Sequence, residues 1–334
     1  MDSQLKIADN VKKSNTKSIM LVRSAGFPQL WVDEMTSNFP DVRFMVADDN
    51  EASISSQIAG VNALIGCPRP LFTPQLLNKA TPALEWVHAP GAGIEEYLIP
   101  ELVKGPILFT NGKIIQGPEV SDHALALFLT LTRNIHMHLT GKGPRPMSRP
   151  IELRKKTAVI YGVGGIGMLT AEKLNAFGMH IIGVDTRYVP MVSFIDKIVP
   201  DAELHHVLPR ADVVICCCPN TNRSRYIFDE NTFLKMKRDA FFINVSRGQL
   251  VRTDDLLSVL DEGWLKGVGL DVTDPEPLPE THPLNKNDRV LITPHLAGLS
   301  DHNRRRGFEL MRQNIERFIS GGPLINVVDK TLGY

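Results

Sequence analysis

Short runs of consecutive apolar residues, each closed by a polar or turn-forming stretch, recur along most of this chain. In the first third they fall at 19–22, 44–47, 63–65, 85–88 and 107–109. These runs lack the polar alternation of a half-exposed strand, so they read as strands buried on both faces. Residues 54–60 and 74–79 can supply helices between them, and such alternation implies a parallel α/β layer. A helix is then predicted over 118–138, where Ala124, Leu125, Phe128, Leu129 and Leu131 form a stripe that faces a core. The Gly- and Pro-dense stretch from Gly141 to Pro150 breaks both helix and strand. A second α/β run follows, with strands at 158–161, 180–185, 197–199, 213–217, 241–244, 268–271 and 290–292. Helices are expected at 166–177 and 253–262, and a last amphipathic helix at 301–320. No internal repeat or low-complexity tract interrupts this order.

Composition narrows the picture. A chain of 334 residues is long enough for about two domains. With 43% hydrophobic residues it is not a disordered chain. Lys+Arg and Asp+Glu are both 37, so the net charge is zero and nothing favours a nucleic acid or an anionic membrane as partner. Three of the four cysteines are consecutive, Cys216, Cys217 and Cys218. Neighbours on a strand point to opposite faces, so this run cannot wrap a metal and reads as small apolar residues; no metal site is expected. Reduced cysteines fit a cytoplasmic protein. The N-terminus stays polar to Lys17, without the apolar core of a signal peptide. The longest apolar stretch, 124–131, is far below the ~20 residues that span a bilayer.

The strand at 158–161 runs into Gly162-Val163-Gly164-Gly165-Ile166-Gly167, a GxGxxG spacing that opens the next helix. Gly162 permits a tight turn, Gly164 lets the backbone approach a pyrophosphate, and Gly167 lets helix and strand pack closely. Backbone N–H groups at the helix start, those of Gly165 and Ile166 first, then face the phosphates. Asp185 ends the following strand at about the twenty-residue spacing expected of a ribose-binding carboxylate. It would repel a 2′-phosphate, which favours NAD over NADP, although Arg187 nearby weakens that preference.

Three ionisable residues stand at strand ends or in the loops after them: Arg247 after 241–246, Glu276 in 271–277 and His295 in 293–298. Ligands of open α/β sheets bind outside the carboxyl ends of the strands, where all three fall. An Arg can grip a carboxylate through two parallel hydrogen bonds. A His can donate a proton to a carbonyl oxygen as hydride arrives and accept it in reverse. A Glu beside it stabilises the imidazolium.

These segments resemble the D-isomer-specific 2-hydroxyacid dehydrogenase family of NAD(P)-dependent oxidoreductases, over roughly Ala63 to Gly298. The most specific are the Gly162–Gly167 turn, Ile243-Asn244-Val245-Ser246-Arg247-Gly248, Leu270-Asp271-Val272 with Glu276-Pro277-Leu278-Pro279, and Thr293-Pro294-His295. The resemblance implies that Arg247, Glu276 and His295 form the active site. It implies that Asp271 binds the nicotinamide carboxamide, that Val245 and Ser246 line the nicotinamide site, and that Cys218 and Pro219 flank the adenosine side. Gly298 joins the cofactor-binding residues. The resemblance also makes Ala92 and Gly93 of Gly91-Ala92-Gly93 the candidate amide donors to a substrate carboxylate. The implied fold is two Rossmann-like domains: a flavodoxin-like substrate domain, 1–120 with 300–334, and an inserted NAD-binding doubly wound parallel sheet, 121–299. The crossing points would lie near Ser121 and Leu299.

The chain departs from the family pattern in a linker, 133–153, that looks several residues short, in Glu95-Glu96, and in Gly117-Pro118-Glu119 before the long helix. No catalytic group is lost. The expected activity is an NAD-dependent 2-keto acid reductase of glyoxylate or hydroxypyruvate type, assembled as a homodimer. Glu276 argues against formate dehydrogenase relatives, which carry Gln there. A chain ending at Tyr334 leaves no room for the regulatory domain of long phosphoglycerate dehydrogenases, and a short form is the alternative within the class. The rival from another class is an NAD-sensing corepressor-like binding protein on the same fold.

Overall fold

A computed structural model of the chain describes residues 16–23, 27–139 and 149–334. Most of the Gly- and Pro-dense break, 140–148, and the polar N-terminal segment, 1–15, lie outside the described residues. The chain divides into two compact units. One runs to Asn111 and resumes for Phe308–Thr331; the other comprises Gly112–Gly307 and Leu332–Tyr334.

The first unit holds five strands: β1 (Ser18–Arg23), β2 (Arg43–Asp48), β3 (Ala63–Ile65), β4 (Trp86–His88) and β5 (Leu108–Thr110). All pairings are parallel and the order is β2-β1-β3-β4-β5, the flavodoxin-like arrangement. Successive residues feed opposite cores, which is why the strands read as unbroken apolar runs. Ile19, Leu21, Ala63, Ile65 and Trp86 enter one core with Met35, Phe308, Met311 and Ile315. Met20, Val22, Leu64 and Val87 enter the other with Ile54, Leu76, Leu77 and Leu102. The Gln29–Asn38 helix is not among the predicted elements, and only Val32 and Met35 of it are buried. Near β5, Val327 bridges antiparallel to Thr110. The Lys330 ammonium donates to the carbonyls of Leu102, Gly105 and Ile107 at 2.9, 2.7 and 3.0 Å.

The second unit holds β6 (Thr157–Tyr161), β7 (His180–Asp185), β8 (Lys197–Pro200), β9 (Val213–Cys216), β10 (Phe241–Asn244), β11 (Gly267–Leu270) and β12 (Val290–Ile292). They form one parallel sheet in the order β12-β11-β10-β9-β6-β7-β8. The winding reverses between β6 and β9, the switch point at which doubly wound sheets open a crevice. Val159, Tyr161, Val214 and Phe242 face one core, and Ala158, Ile160, Ile215 and Ile243 the other. The cysteines follow the same alternation: Cys216 and Cys218 enter the first core, and Cys217 packs against the second. Burial pushes the Cys217 thiol up to about 12. Among the described residues, no helix is long and apolar enough to cross a membrane.

Several predicted boundaries change. The helix expected over 54–60 is Glu51–Gln57. The helix expected over 118–138 is Gly117–Thr132, and a separate turn of helix, Ile135–Leu139, follows it. Asn134 between them takes a left-handed φ of 58°, which ends the first helix. The units divide at Asn111 and Gly307 rather than near Ser121 and Leu299. Packing gives the reason. Val120, Ala124, Leu127 and Phe128 bury against the second unit's sheet, so the whole Gly117–Thr132 helix belongs there. In the Asn303–Ser320 helix, Arg306 pairs with Glu119, whereas Phe308, Met311 and Ile315 enter the core of the first sheet.

One buried polar cluster has a pH signature. His88, at the end of β4, is 3% exposed. Its Nδ1 lies 2.8 Å from the Thr110 hydroxyl, which also accepts from the Trp86 indole N–H at 2.8 Å. The hydroxyl proton can therefore be given to a neutral imidazole. Burial holds the His88 pKa down to about 4. The unfolded chain takes up this proton near its ordinary value and the folded one only near 4. Stability is thus complete above about pH 6.5 and falls as the pH drops through that window, by about 2 kcal/mol at pH 5 and about 3 kcal/mol at pH 4. Urea unfolding at pH 7 and pH 5 should show this loss in the wild type and lack it in His88→Gln. Equal pH dependence in both would contradict it.

Candidate active site

The loop after β6 is shaped by close approach of backbones. Gly162 has a φ of 97°, and a Cβ there would lie 2.6 Å from the Cys218 nitrogen. A Cβ on Gly167 would lie 1.9 Å from the Gly162 oxygen. The turn and the packing of the Gly165–Ala176 helix on β6 therefore both require glycine. A Cβ on Gly164 would meet nothing within 4 Å, so this face of the turn is open. The open face and the N-terminus of the twelve-residue helix, where Gly165 and Ile166 lie, suit a dinucleotide pyrophosphate.

Asp185 ends β7 with its side chain nearly buried. Its Oδ2 accepts from the Val163 N–H at 2.9 Å, and Oδ1 accepts from the Arg187 N–H at 2.9 Å. The Arg187 guanidinium lies 3.4 Å from Oδ1 and packs over the Tyr334 ring at 5.3 Å. The carboxylate therefore ties the glycine turn to the end of β7. Oδ2 retains a lone pair for a further donor.

Two neighbouring loops are locked to each other. Asn244, at the end of β10, is fully buried. Its amide donates to the Arg247 carbonyl at 2.9 Å, and its oxygen accepts from the Ser246 N–H at 3.1 Å. This closes a turn whose next residue is Arg247, and the guanidinium Nη1 donates to the Ser246 carbonyl at 2.7 Å. A Cβ on Gly248 would lie 1.9 Å from the Thr273 oxygen, so the Arg247 loop touches the backbone of the loop after β11. That second loop is also held at Asp274. The Tyr226 hydroxyl donates to its carboxylate at 2.8 Å, and the Thr253 hydroxyl donates to its carbonyl at 2.5 Å. Glu276 follows two residues later.

His295 stands in the loop after β12 with a φ of 51°, and its N–H donates to the carbonyls of Asp271 and Thr293 at 2.9 and 3.0 Å. Its Nδ1 lies 2.5 Å from Glu276 Oε1. The two side chains are half and two-fifths exposed, a hydrogen-bonded pair open at the surface of the unit. Asp271, by contrast, is 2% exposed. Its Oδ1 accepts from the Thr293 hydroxyl at 2.7 Å and from the Leu296 N–H at 3.0 Å, and its Oδ2 accepts from the Ala297 N–H at 3.0 Å. The carboxylate thus holds the His295 loop on both sides of the histidine. Oδ2 keeps a lone pair for one more donor, such as a carboxamide.

The remaining predicted residues distribute as follows. Val245 and Ser246 are buried, and the Ser246 hydroxyl donates to the Cys218 carbonyl. The Pro219 carbonyl accepts from the Ser224 hydroxyl at 2.7 Å. The Gly298 carbonyl accepts from the Gln116 and Asn303 amides at 3.1 and 2.8 Å. Ala92 and Gly93 belong to the first unit, in the loop after β4. Their carbonyls accept from Asn111 Nδ2 at 2.8 Å and Arg69 Nη2 at 3.3 Å. Sequence reasoning passed over Asn244, Gly248, Tyr226 and His123. Gly248 had a signal, a glycine directly after the predicted Arg. Asn244 acts on Ser246 and Arg247 close by, whereas Tyr226 and His123 carry their meaning only through partners distant in the chain.

Residues 125–297 match the model of the D-isomer specific 2-hydroxyacid dehydrogenase NAD binding domain. The chain is 32% identical over 254 residues to a glyoxylate reductase from Thermofilum pendens, covering 72% of this chain and 74% of that one. It is 28% identical over 277 residues to the glyoxylate reductase/hydroxypyruvate reductase of Homo sapiens, covering 80% and 84%. It is also similar to the structure of an NADPH-dependent glyoxylate/hydroxypyruvate reductase from Sinorhizobium meliloti in complex with NADP and sulfate. The TM-score there is 0.78 at 26% identity, covering 96% of this chain and 100% of that one. The chain therefore belongs to the D-isomer specific 2-hydroxyacid dehydrogenase family and is an NAD(P)-dependent oxidoreductase.

Proposed function

We propose that this enzyme reduces small 2-keto acids of the glyoxylate or hydroxypyruvate type to 2-hydroxy acids, with NADH as reductant. The observation that carries the reading is the 2.5 Å contact of His295 Nδ1 with Glu276, which leaves the Nε2 face of the ring for proton exchange. The names of the relatives support the substrate class. The bound dinucleotide supplies the hydride. Arg247, one loop away, grips the substrate carboxylate through its guanidinium. His295 gives a proton to the substrate oxygen, and Glu276 keeps the resulting charge change local. In this reading the first unit is the substrate domain and the second the cofactor domain. The enzyme works in the cytoplasm as a homodimer, which would cover the exposed Ile135 and Leu139.

Steady-state kinetics over a panel of 2-keto acids, phosphorylated and unphosphorylated, tests the assignment. Arg247→Ala should raise KM steeply and lower kcat through lost orientation. His295→Ala should lower kcat by ~10²–10⁴. Glu276→Gln should leave substrate binding nearly intact and lower kcat, because the imidazole loses the carboxylate that orients it. A Gln variant with unchanged kcat would remove Glu276 from the role. A folded, dinucleotide-binding protein that turns over no keto acid would favour the corepressor-like alternative.

Cofactor choice turns on Asp185. Bringing a 2′-phosphate beside its carboxylate costs about 2 kcal/mol, or roughly thirtyfold in affinity. Arg187, half exposed beside it, offsets part of that cost. NADH should have the higher kcat/KM, Asp185→Ser should narrow the ratio, and Arg187→Ala should widen it. A wild type equally or more efficient with NADPH would assign the phosphate to Arg187 instead.

A further inference from the structure

Behind the His295 loop lies a line of hydrogen bonds that begins on the Gly117–Thr132 helix. His123, on that helix, has a side chain only 17% exposed. Its Nε2 lies 2.9 Å from the Thr293 hydroxyl and 3.5 Å from Asp271 Oδ1. The Thr293 hydroxyl owns one proton and gives it to Asp271 Oδ1 at 2.7 Å. It must therefore accept at the other contact, so His123 carries its proton on Nε2 and acts as the donor. The direction of the whole line follows: His123 to Thr293, Thr293 to Asp271, with Asp271 accepting the N–H groups of Leu296 and Ala297. His295 sits between the residues so held.

The helix that carries His123 is itself anchored. The Lys173 ammonium reaches across from the Gly165–Ala176 helix to the Pro118 carbonyl at 3.0 Å, the Ser121 hydroxyl at 2.5 Å and the Asp122 carboxylate at 2.6 Å. One helix thereby meets the helix that opens on the glycine turn and, through His123, the loop that bears the acid.

We infer that His123 is a positioning residue for the His295–Glu276 pair. It touches neither member. It fixes the Thr293 hydroxyl, which orients the Asp271 carboxylate, which sets the loop. Misplacement of a reacting group by 1 Å can cost about 10²-fold in rate, so a weakened line need not move the fold to be felt. The inference rests on the reading of His295 as the proton donor.

The test uses His123→Phe, which keeps a ring and removes the donor, and His123→Gln, whose amide N–H reaches a similar point. His123→Phe should melt within a few degrees of wild type and bind NADH within about threefold. Its kcat for a 2-keto acid should fall ~10–100-fold with little change in KM, and the ring-nitrogen NMR signals of His295 should shift. His123→Gln should recover kcat to within about threefold. Thr293→Val breaks the same line from its other end and should reproduce the His123→Phe phenotype, which covers the case in which the Phe variant does not fold. A His123→Phe enzyme within twofold of wild type, with unchanged His295 signals, overturns the inference. So does a variant whose losses follow reduced melting temperature and NADH affinity. If the wild type reduces no 2-keto acid, the functional reading fails, and the His295 signals alone still decide whether His123 positions that ring.

Discussion

A buried carboxylate governs the geometry of this candidate site. Asp271 has almost no exposure, and three protein donors converge on its two oxygens. An ionised carboxylate withdrawn from water must be met by donors, and here the donors come from the segment that follows β12. Meeting them draws Thr293, Leu296 and Ala297 around one point, and His295 is left in a left-handed conformation facing Glu276. The histidine backbone has little freedom of its own, because its N–H is committed to two carbonyls.

The parallel sheet makes this convergence possible. β10, β11 and β12 are consecutive neighbours, so the loops at their carboxyl ends emerge side by side. Gly248 lets two of those loops touch at the backbone, and Asp271 joins the second to the third. The β6 loop and the β9 end close together in the same manner at Gly162 and Cys218. Function in such a fold sits in loops held by a rigid scaffold, and here the holding groups are backbone contacts and buried polar side chains.

Much of this was legible beforehand, for reasons that differ by element. All twelve strands among the described residues stand close to where apolar runs put them, because a strand buried on both faces leaves no room for polar residues; only their ends moved by a residue or so. The Gln29–Asn38 helix was not, since two buried residues make no stripe. Nor was the break at Asn134, because Ile135 to Leu139 would prolong a helix as well as interrupt one. In the site, Arg247, Glu276 and His295 were visible through their motifs. The second commitment of Asp185, to Val163, was not, and His123 was hidden in an apolar stripe with its partner 170 residues away.

The most direct test of the central claim is Asp271→Asn, assayed for 2-keto acid reduction in a protein shown by circular dichroism to be folded. An amide in that place keeps one acceptor and turns an N–H₂ toward groups that also donate. A buried donor left without an acceptor costs about 1–3 kcal/mol, and the His295 loop should shift to relieve it. The account predicts a loss of kcat on the order of 10²-fold together with displaced ring-nitrogen signals of His295. An enzyme that keeps kcat within a few fold and leaves those signals in place would show that the loop holds its histidine without this carboxylate, and would contradict the account.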